Sequence, residues 1–148
     1  MRFIHYAIAT GLGSGYVPKA PGTAGSILGL LIAYFLFREN TLVLVGSTII
    51  VTLLGIISGS YVEKDKALED PQIVVVDEIA GMWIGLWFVP VEPWLYLIAF
   101  GLFRFFDVKK PYPINKLQDL HGGLGIMMDD VMAGVYTLLI MQALLYFL

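Results

Sequence analysis

Cysteine is absent from this chain of 148 residues, which removes disulfides, thiolate metal sites and a cysteine nucleophile from consideration. Charge is scarce: Asp, Glu, Lys and Arg make up 14% of the residues, against about 25% in an average soluble domain. Basic tracts are missing, and the net charge is only −3, so nothing points to nucleic acid as a partner. No internal repeat is visible. The opening M-R-F-I-H-Y-A-I-A-T-G lacks the successive regions of a cleavable signal. What the chain does hold is apolar residues, 58% of the total, with a mean hydropathy of +0.80. One aqueous core of this size cannot bury that much, so the surplus is expected to face lipid. The length suits a single domain, residues 1–148.

A Gly/Pro-rich stretch, Gly11 to Ser26, leads into an apolar run that opens at Pro21 and ends at Phe37. A second run covers Thr41 to Ser60 and is followed by the polar stretch Tyr61 to Gln72. A third, Ile73 to Val89, is broken only by Asp77 and Glu78, and a fourth covers Trp94 to Phe106. After a polar loop and the glycine-rich His121 to Gly125, a last run extends from Val131 to Leu148. The longer runs approach the roughly 20 residues that span a bilayer. Runs three and four are short, which leaves a tight hairpin, a locally thinned bilayer or a place partly inside the bundle. They lack the alternation of membrane strands. The expected fold class is all-α, a polytopic membrane bundle of about five short helices.

With the N-terminus in the cytoplasm, Arg2, Lys19, Lys64, Lys66, Arg104, Lys109, Lys110 and Lys116 fall inside and Arg38 alone falls outside. That bias supports this orientation, with an odd number of spans and the C-terminus outside. It also brings four polar clusters, distant in sequence, to one depth at the cytoplasmic face. These are the start of the first run, Asp77 with Glu78, Arg104 with Asp107, and Asp129 with Asp130. Spacing turns some of them inward. Asp77, Gly81 and Gly85 repeat every four residues along one helix stripe, and Gly81/Gly85, Gly25/Gly29 and Gly55/Gly59 are close-approach pairs. Asp130 precedes Gly134 by four, and Gly101, Arg104 and Asp107 are expected to share a face.

Each cluster has a plainer reading. Asp77 and Glu78 suit the positive end of a helix, and Asp129 suits an N-cap. Arg104 with Asp107 is either an intrahelical ion pair or a guanidinium fork that grips phosphate. Lys110, just before Pro111, either anchors at headgroups or neutralises a substrate. Pro21-Gly22-Thr23-Ala24-Gly25-Ser26 is either a tight turn before close packing or an anion-attracting helix start. His121 is a loop histidine whose ordinary role is a surface or capping group. Together, however, the acids would repel one another without a cation among them. Hard oxygen ligands suit Mg²⁺, which keeps waters that a phosphate can replace.

The stretches G-L-G-S-G with P-G-T-A-G-S, D-E-I-A-G-M-W-I-G, F-R-F-F-D-V-K-K-P-Y-P-I and H-G-G-L-G-I-M-M-D-D-V-M-A-G-V resemble, in order, the motifs of the phosphatidylglycerophosphatase A family of bacterial membrane phosphatases. They cover about half the chain; Lys19 falls outside the pattern. The resemblance implies a Mg²⁺-dependent hydrolase of the cytoplasmic (inner) membrane, with a phospholipid, phosphatidylglycerophosphate, as substrate and phosphatidylglycerol and phosphate as products. It carries polar motif positions onto Thr23, Asp77, Glu78, Arg104, Asp107, Lys110, His121, Asp129 and Asp130. The expected catalytic set is Asp77, Glu78, Asp107, Asp129 and Asp130, with Asp77, Asp107, Asp129 and Asp130 as metal ligands. Gly22, Thr23, Gly25, Ser26, Arg104, Lys110 and His121 are expected to bind substrate. The rival class is a small cation or proton transporter, which would place ionisable groups at mid-membrane depth.

Overall fold

The computed structural model describes residues 2–38, 40–67, 71, 73–112, 114–117 and 122–147, with the backbone alone at 115 and 117. All regular structure among them is helical. Helix α1 covers Arg2–Ala9, and a 3₁₀ turn follows at Ser14–Tyr16. α2 covers Pro21–Ile32 and widens into a π turn at Ala33–Phe37. α3 covers Thr41–Lys66, α4 Val76–Leu86, α5 Pro93–Lys109, the short α6 Ile114–Leu117, and α7 Gly122–Phe147.

The boundaries follow local chemistry. Pro21 and Pro93 open α2 and α5, where a missing N–H costs no helical bond. Asn40 caps α3 by accepting from the Val43 N–H at 3.3 Å. Lys64 and Lys66 sit in the last turn of α3, where the helix dipole favours cations. α5 stops at Lys110, in the left-handed region with φ 48°, and Pro111 prevents its continuation.

α2, α3, α4, α5 and α7 run alternately away from and back toward one end of the bundle. α4 is the axis, packed by α2, α3, α5 and α7, and all of its residues are buried. With 11 residues it is roughly 16 Å long, too short for a roughly 30 Å hydrocarbon layer. Of the three readings open for the third apolar run, the place inside the bundle is the one observed. The outward faces are apolar instead: Leu42, Ile50, Leu53 and Ile57 on α3, Leu97 and Phe105 on α5, Leu139 and Tyr146 on α7 are exposed. α3 and α7 have 26 residues each, with hydropathies of 2.3 and 1.6, long and apolar enough to cross a bilayer. Water would not tolerate so continuous an apolar belt; this is the surface of a membrane protein.

Small residues set the helix spacing. A methyl group at Gly85 would stand 2.8 Å from Thr137 Cγ2, and one at Gly55 2.7 Å from Met127. The Trp83 indole N–H donates to the Gly29 carbonyl at 2.8 Å, locking α4 to α2. The inner stripe of α5 is Ala99, Phe103 and Asp107, all buried. Gly101 is exposed and faces open space, so it does not share the face of Arg104 and Asp107 that its spacing suggested.

Three further features differ from the sequence reading. α3 continues through Lys66, so half of the polar stretch after Ser60 is helix; its charges project beyond the apolar belt. α7 begins at Gly122, not Val131, because the glycines there pack against α3, where the Gly123 N–H donates to Ser60 Oγ at 2.7 Å. Asp129 is therefore about two turns inside a helix rather than at its cap. Finally, α1 was not expected. It is tied to the end of α3 by the Tyr6 hydroxyl on Asp65 at 2.5 Å and by Arg2 on Asp65 at 3.4 Å. His5 stacks on Tyr61 with ring centroids 4.3 Å apart.

Candidate active site

Three helices, α4, α5 and α7, deliver the buried acids to one end of the bundle. Asp77 and Glu78 occupy the first turn of α4, where unpaired N–H groups favour negative charge. That plainer reading and the shared site are both satisfied. Asp107 sits near the C-terminal end of α5, where the dipole disfavours an anion. Its compensation is direct: Arg104 Nη1 donates to Asp107 Oδ2 at 2.6 Å, and Lys110 Nζ to Asp107 Oδ1 at 3.2 Å. Both cations also reach a second helix. Arg104 Nη1 donates to Glu78 Oε2 at 3.1 Å, and Lys110 Nζ to Asp129 Oδ2 at 3.0 Å. The result is a chain of alternating charge, Glu78–Arg104–Asp107–Lys110–Asp129, that stitches α4, α5 and α7 together.

Asp77 and Asp130 stand beside this chain. Asp130 is 1% exposed, and neither of its carboxylate oxygens has a hydrogen-bond donor among the described residues. It belongs to two overlapping trios, Asp77/Asp129/Asp130 and Glu78/Asp107/Asp130, whose oxygens lie within 4.8 Å of one another. An isolated buried carboxylate costs several kcal/mol, and clustered carboxylates add mutual repulsion. Five acids here face two cations. The donor set is all hard oxygen, and the Asp130 oxygens are unsatisfied, which fits a divalent cation. Lys110 is strongly committed to its charge. Burial opposes its protonation, but Asp107, Asp130 and Asp129 outweigh that and raise its pKa above the ordinary lysine value.

A cavity of about 230 Å³ opens over this cluster. Asp77, Glu78, Asp107, Lys110, Asp129 and Asp130 line it, and Gly22 of α2 completes one wall. A methyl group at Gly22 would stand 2.9 Å from Glu78 Oε1 and 3.3 Å from Arg104 Nη1, so glycine keeps this wall open. Among the described residues, α2 contributes Pro21 and Gly22 to the wall rather than its next turn. Thr23 is half-buried. Gly25 backs onto Val75, and Ser26 is sealed, its hydroxyl donating to the Gly22 carbonyl at 2.9 Å. Arg104 takes the ion-pair alternative and reaches Glu78 as well. His121 lies outside the described residues.

The sequence reading did not assign Lys19, Pro71, Val74 and Val75, which also line the cavity. The loop before α4 is held there by α1, since the Val75 N–H donates to the Ala9 carbonyl at 2.8 Å. Lys19 carried one legible signal, a charge directly ahead of the Pro-Gly helix start; the apolar wall residues carried none.

The phosphatidylglycerophosphatase A family model matches residues 7–145. The chain belongs to the phosphatidylglycerophosphatase A family. Two family members named phosphatidylglycerophosphatase A are similar to it. The one from Haemophilus influenzae is 36% identical, over 97% of this chain and 90% of its own length. That from Escherichia coli is 38% identical, over 97% of this chain and 82% of its own length. A Bacteroides thetaiotaomicron protein, named as a candidate phosphatidylinositol-3-phosphatase, is 42% identical, over 93% of this chain and 91% of its own length. No solved structure matches. As a member of this family the chain is a phosphatase, and the acid cluster with its cavity is the candidate seat of its chemistry.

Proposed function

We propose that this protein hydrolyses the terminal phosphate monoester of phosphatidylglycerophosphate, releasing phosphate and leaving phosphatidylglycerol. In this reading it is a single-domain, multi-pass enzyme whose cavity faces the cytoplasm, where the basic residues gather. The observation that carries the proposal is the convergence of five buried carboxylates on a cavity walled by Lys110 and the start of α2. A phospholipid's terminal phosphate lies at interfacial depth while its acyl chains stay in the bilayer, and a cavity at the end of the bundle suits that depth.

Asp77, Asp107, Asp129 and Asp130 would hold Mg²⁺. When bound, Mg²⁺ supplies charge neutralisation at the phosphoryl oxygens. The chain's own groups do the rest. Lys110, held over the cavity by Asp107 and Asp129, offsets charge that develops on the phosphoryl group. Arg104, engaged by Glu78 and Asp107, positions both carboxylates. Glu78, whose Oε1 faces Gly22, accepts a proton from the attacking water. The P–O ester bond breaks, the lipid oxygen leaves as a hydroxyl after taking up a proton, and one water is consumed.

A second substrate is favoured by one observation. The relative named for phosphatidylinositol 3-phosphate is more similar to this chain, at 42%, than the two named for phosphatidylglycerophosphate. A phosphorylated inositol lipid presents the same monoester at the same depth. The transporter reading gains no such support: the buried ionisable groups among the described residues all belong to the one cluster. The deciding experiment is phosphate release by purified protein in detergent from each lipid, with Mg²⁺ and with EDTA. Mg²⁺-dependent release from phosphatidylglycerophosphate is expected; release from neither lipid sinks the proposal.

A further inference from the structure

Lys19 differs from the two cations of the acid cluster. Arg104 and Lys110 are each committed to two carboxylates. Lys19 lines the same cavity but is exposed and makes no ion pair or hydrogen bond among the described residues. Its backbone is in the left-handed region, φ 75°, which a non-glycine residue adopts at a cost. It stands two residues before the start of α2. That start has no side-chain cap, and its first intrahelical bond is Ala24 N–H to the Ala20 carbonyl at 3.1 Å, so the Gly22 and Thr23 N–H groups have no acceptor within the helix. Among the described residues, the cavity lining thus pairs an unpaired ammonium, that of Lys19, with the Gly22 N–H, which has no acceptor within the helix. The cavity floor holds the acid cluster.

Both lipids considered above carry two phosphates: the terminal monoester, and the diester that joins the headgroup to diacylglycerol. We infer that Lys19, with the first turn of α2, is a second phosphate subsite that holds the diester while the monoester occupies the acid-lined floor. The inference rests on the proposed substrate class and deepens it. It makes the enzyme a reader of two phosphates across a polyol, rather than of a lone lipid monoester such as phosphatidate, which has no diester.

The test compares wild type, Lys19→Met and Lys19→Arg in mixed micelles with Mg²⁺, on phosphatidylglycerophosphate, phosphatidylinositol 3-phosphate and phosphatidate. Methionine keeps the side-chain length and makes the same backbone demand as lysine, so only the charge is lost. For whichever two-phosphate lipid wild type hydrolyses, Lys19→Met is expected to raise KM about tenfold, a loss of roughly 1.4 kcal/mol, with kcat little changed. The specificity ratio between that lipid and phosphatidate falls by the same factor, and Lys19→Arg restores it. If phosphatidate is not turned over, its inhibition constant takes the place of its specificity constant. An unchanged ratio, or an equal loss on both lipid classes, overturns the Lys19 assignment while leaving the phosphatase reading intact. Failure of wild type to release phosphate from either two-phosphate lipid overturns the substrate reading itself.

Discussion

Gly81 of α4 packs directly against the backbone of Asp130 in α7: a methyl group at position 81 would stand 2.5 Å from the Asp130 carbonyl oxygen, and equally close to the Phe103 ring. The residue that fixes the interhelical spacing therefore touches the residue at the centre of the acid cluster. Gly81→Ala should separate α4 from α7 at this level. Overpacking of this kind costs about 1–3 kcal/mol, so a fall of several degrees in the thermal midpoint is expected, together with weaker Mg²⁺ dependence of activity. Retention of both the wild-type midpoint and the wild-type Mg²⁺ titration would contradict this packing.

Asp130→Asn removes a buried charge that has no donor and keeps the shape. Activity should fall at least about a hundredfold, as expected when a metal-holding or charge-stabilising group is lost. In EDTA, however, the variant should be no less stable than wild type, and about 1 kcal/mol of relieved repulsion would raise the midpoint by roughly 2–4 °C. Thermal melts in detergent check the second half. A variant that is both inactive and strongly destabilised would point to a structural role instead. Asp77→Asn is expected to lose activity in the same way.

Mg²⁺ should stabilise the wild-type protein. At a hundred times its dissociation constant a ligand contributes about 2.7 kcal/mol, readable as a concentration-dependent rise in thermal midpoint. Asp130→Asn should lose most of that rise. A midpoint indifferent to Mg²⁺ in the wild type would remove the metal from the proposal.

Lys110 makes a prediction in pH. Its folded-state pKa is raised, so its contribution to stability is complete below the unfolded lysine value, about 10.4, and is lost only as pH rises through the higher folded value. The stability difference between wild type and Lys110→Met should therefore be constant from pH 6 to about 9. Chemical denaturation at several pH values measures it. A difference that shrinks between pH 7 and 9 would show that Lys110 titrates there and is not held by Asp107 and Asp129.

Much of this was legible in the sequence because bilayers impose long apolar runs and make each buried charge conspicuous. Asp77, Gly81 and Gly85 announced an inward stripe by spacing, and α4 presents it inward as read. Asp107 and the Asp129–Asp130 pair were conspicuous for the same reason. What spacing could not supply was depth within a helix. Glycines at 122, 123 and 125 look like a loop, yet they begin α7 because α3 offers a close surface for them. Gly101 looked like a partner of Arg104 and Asp107 by its period, but nothing packs on it. The capture of both cations by acids of other helices depends on tertiary approach, and the wall made by Val74 and Val75 depends on α1, a short helix whose apolar residues looked like any others.

The burial of α4 on every side has a consequence for how the enzyme meets its surroundings. Lipid touches only the outer helices, so a change in bilayer thickness or acyl composition presses on a jacket rather than on the rod that carries Asp77 and Glu78. Asp107 and the Asp129–Asp130 pair, by contrast, ride on that jacket, in α5 and α7, so bilayer strain would reach the acid cluster through those two helices and not through α4.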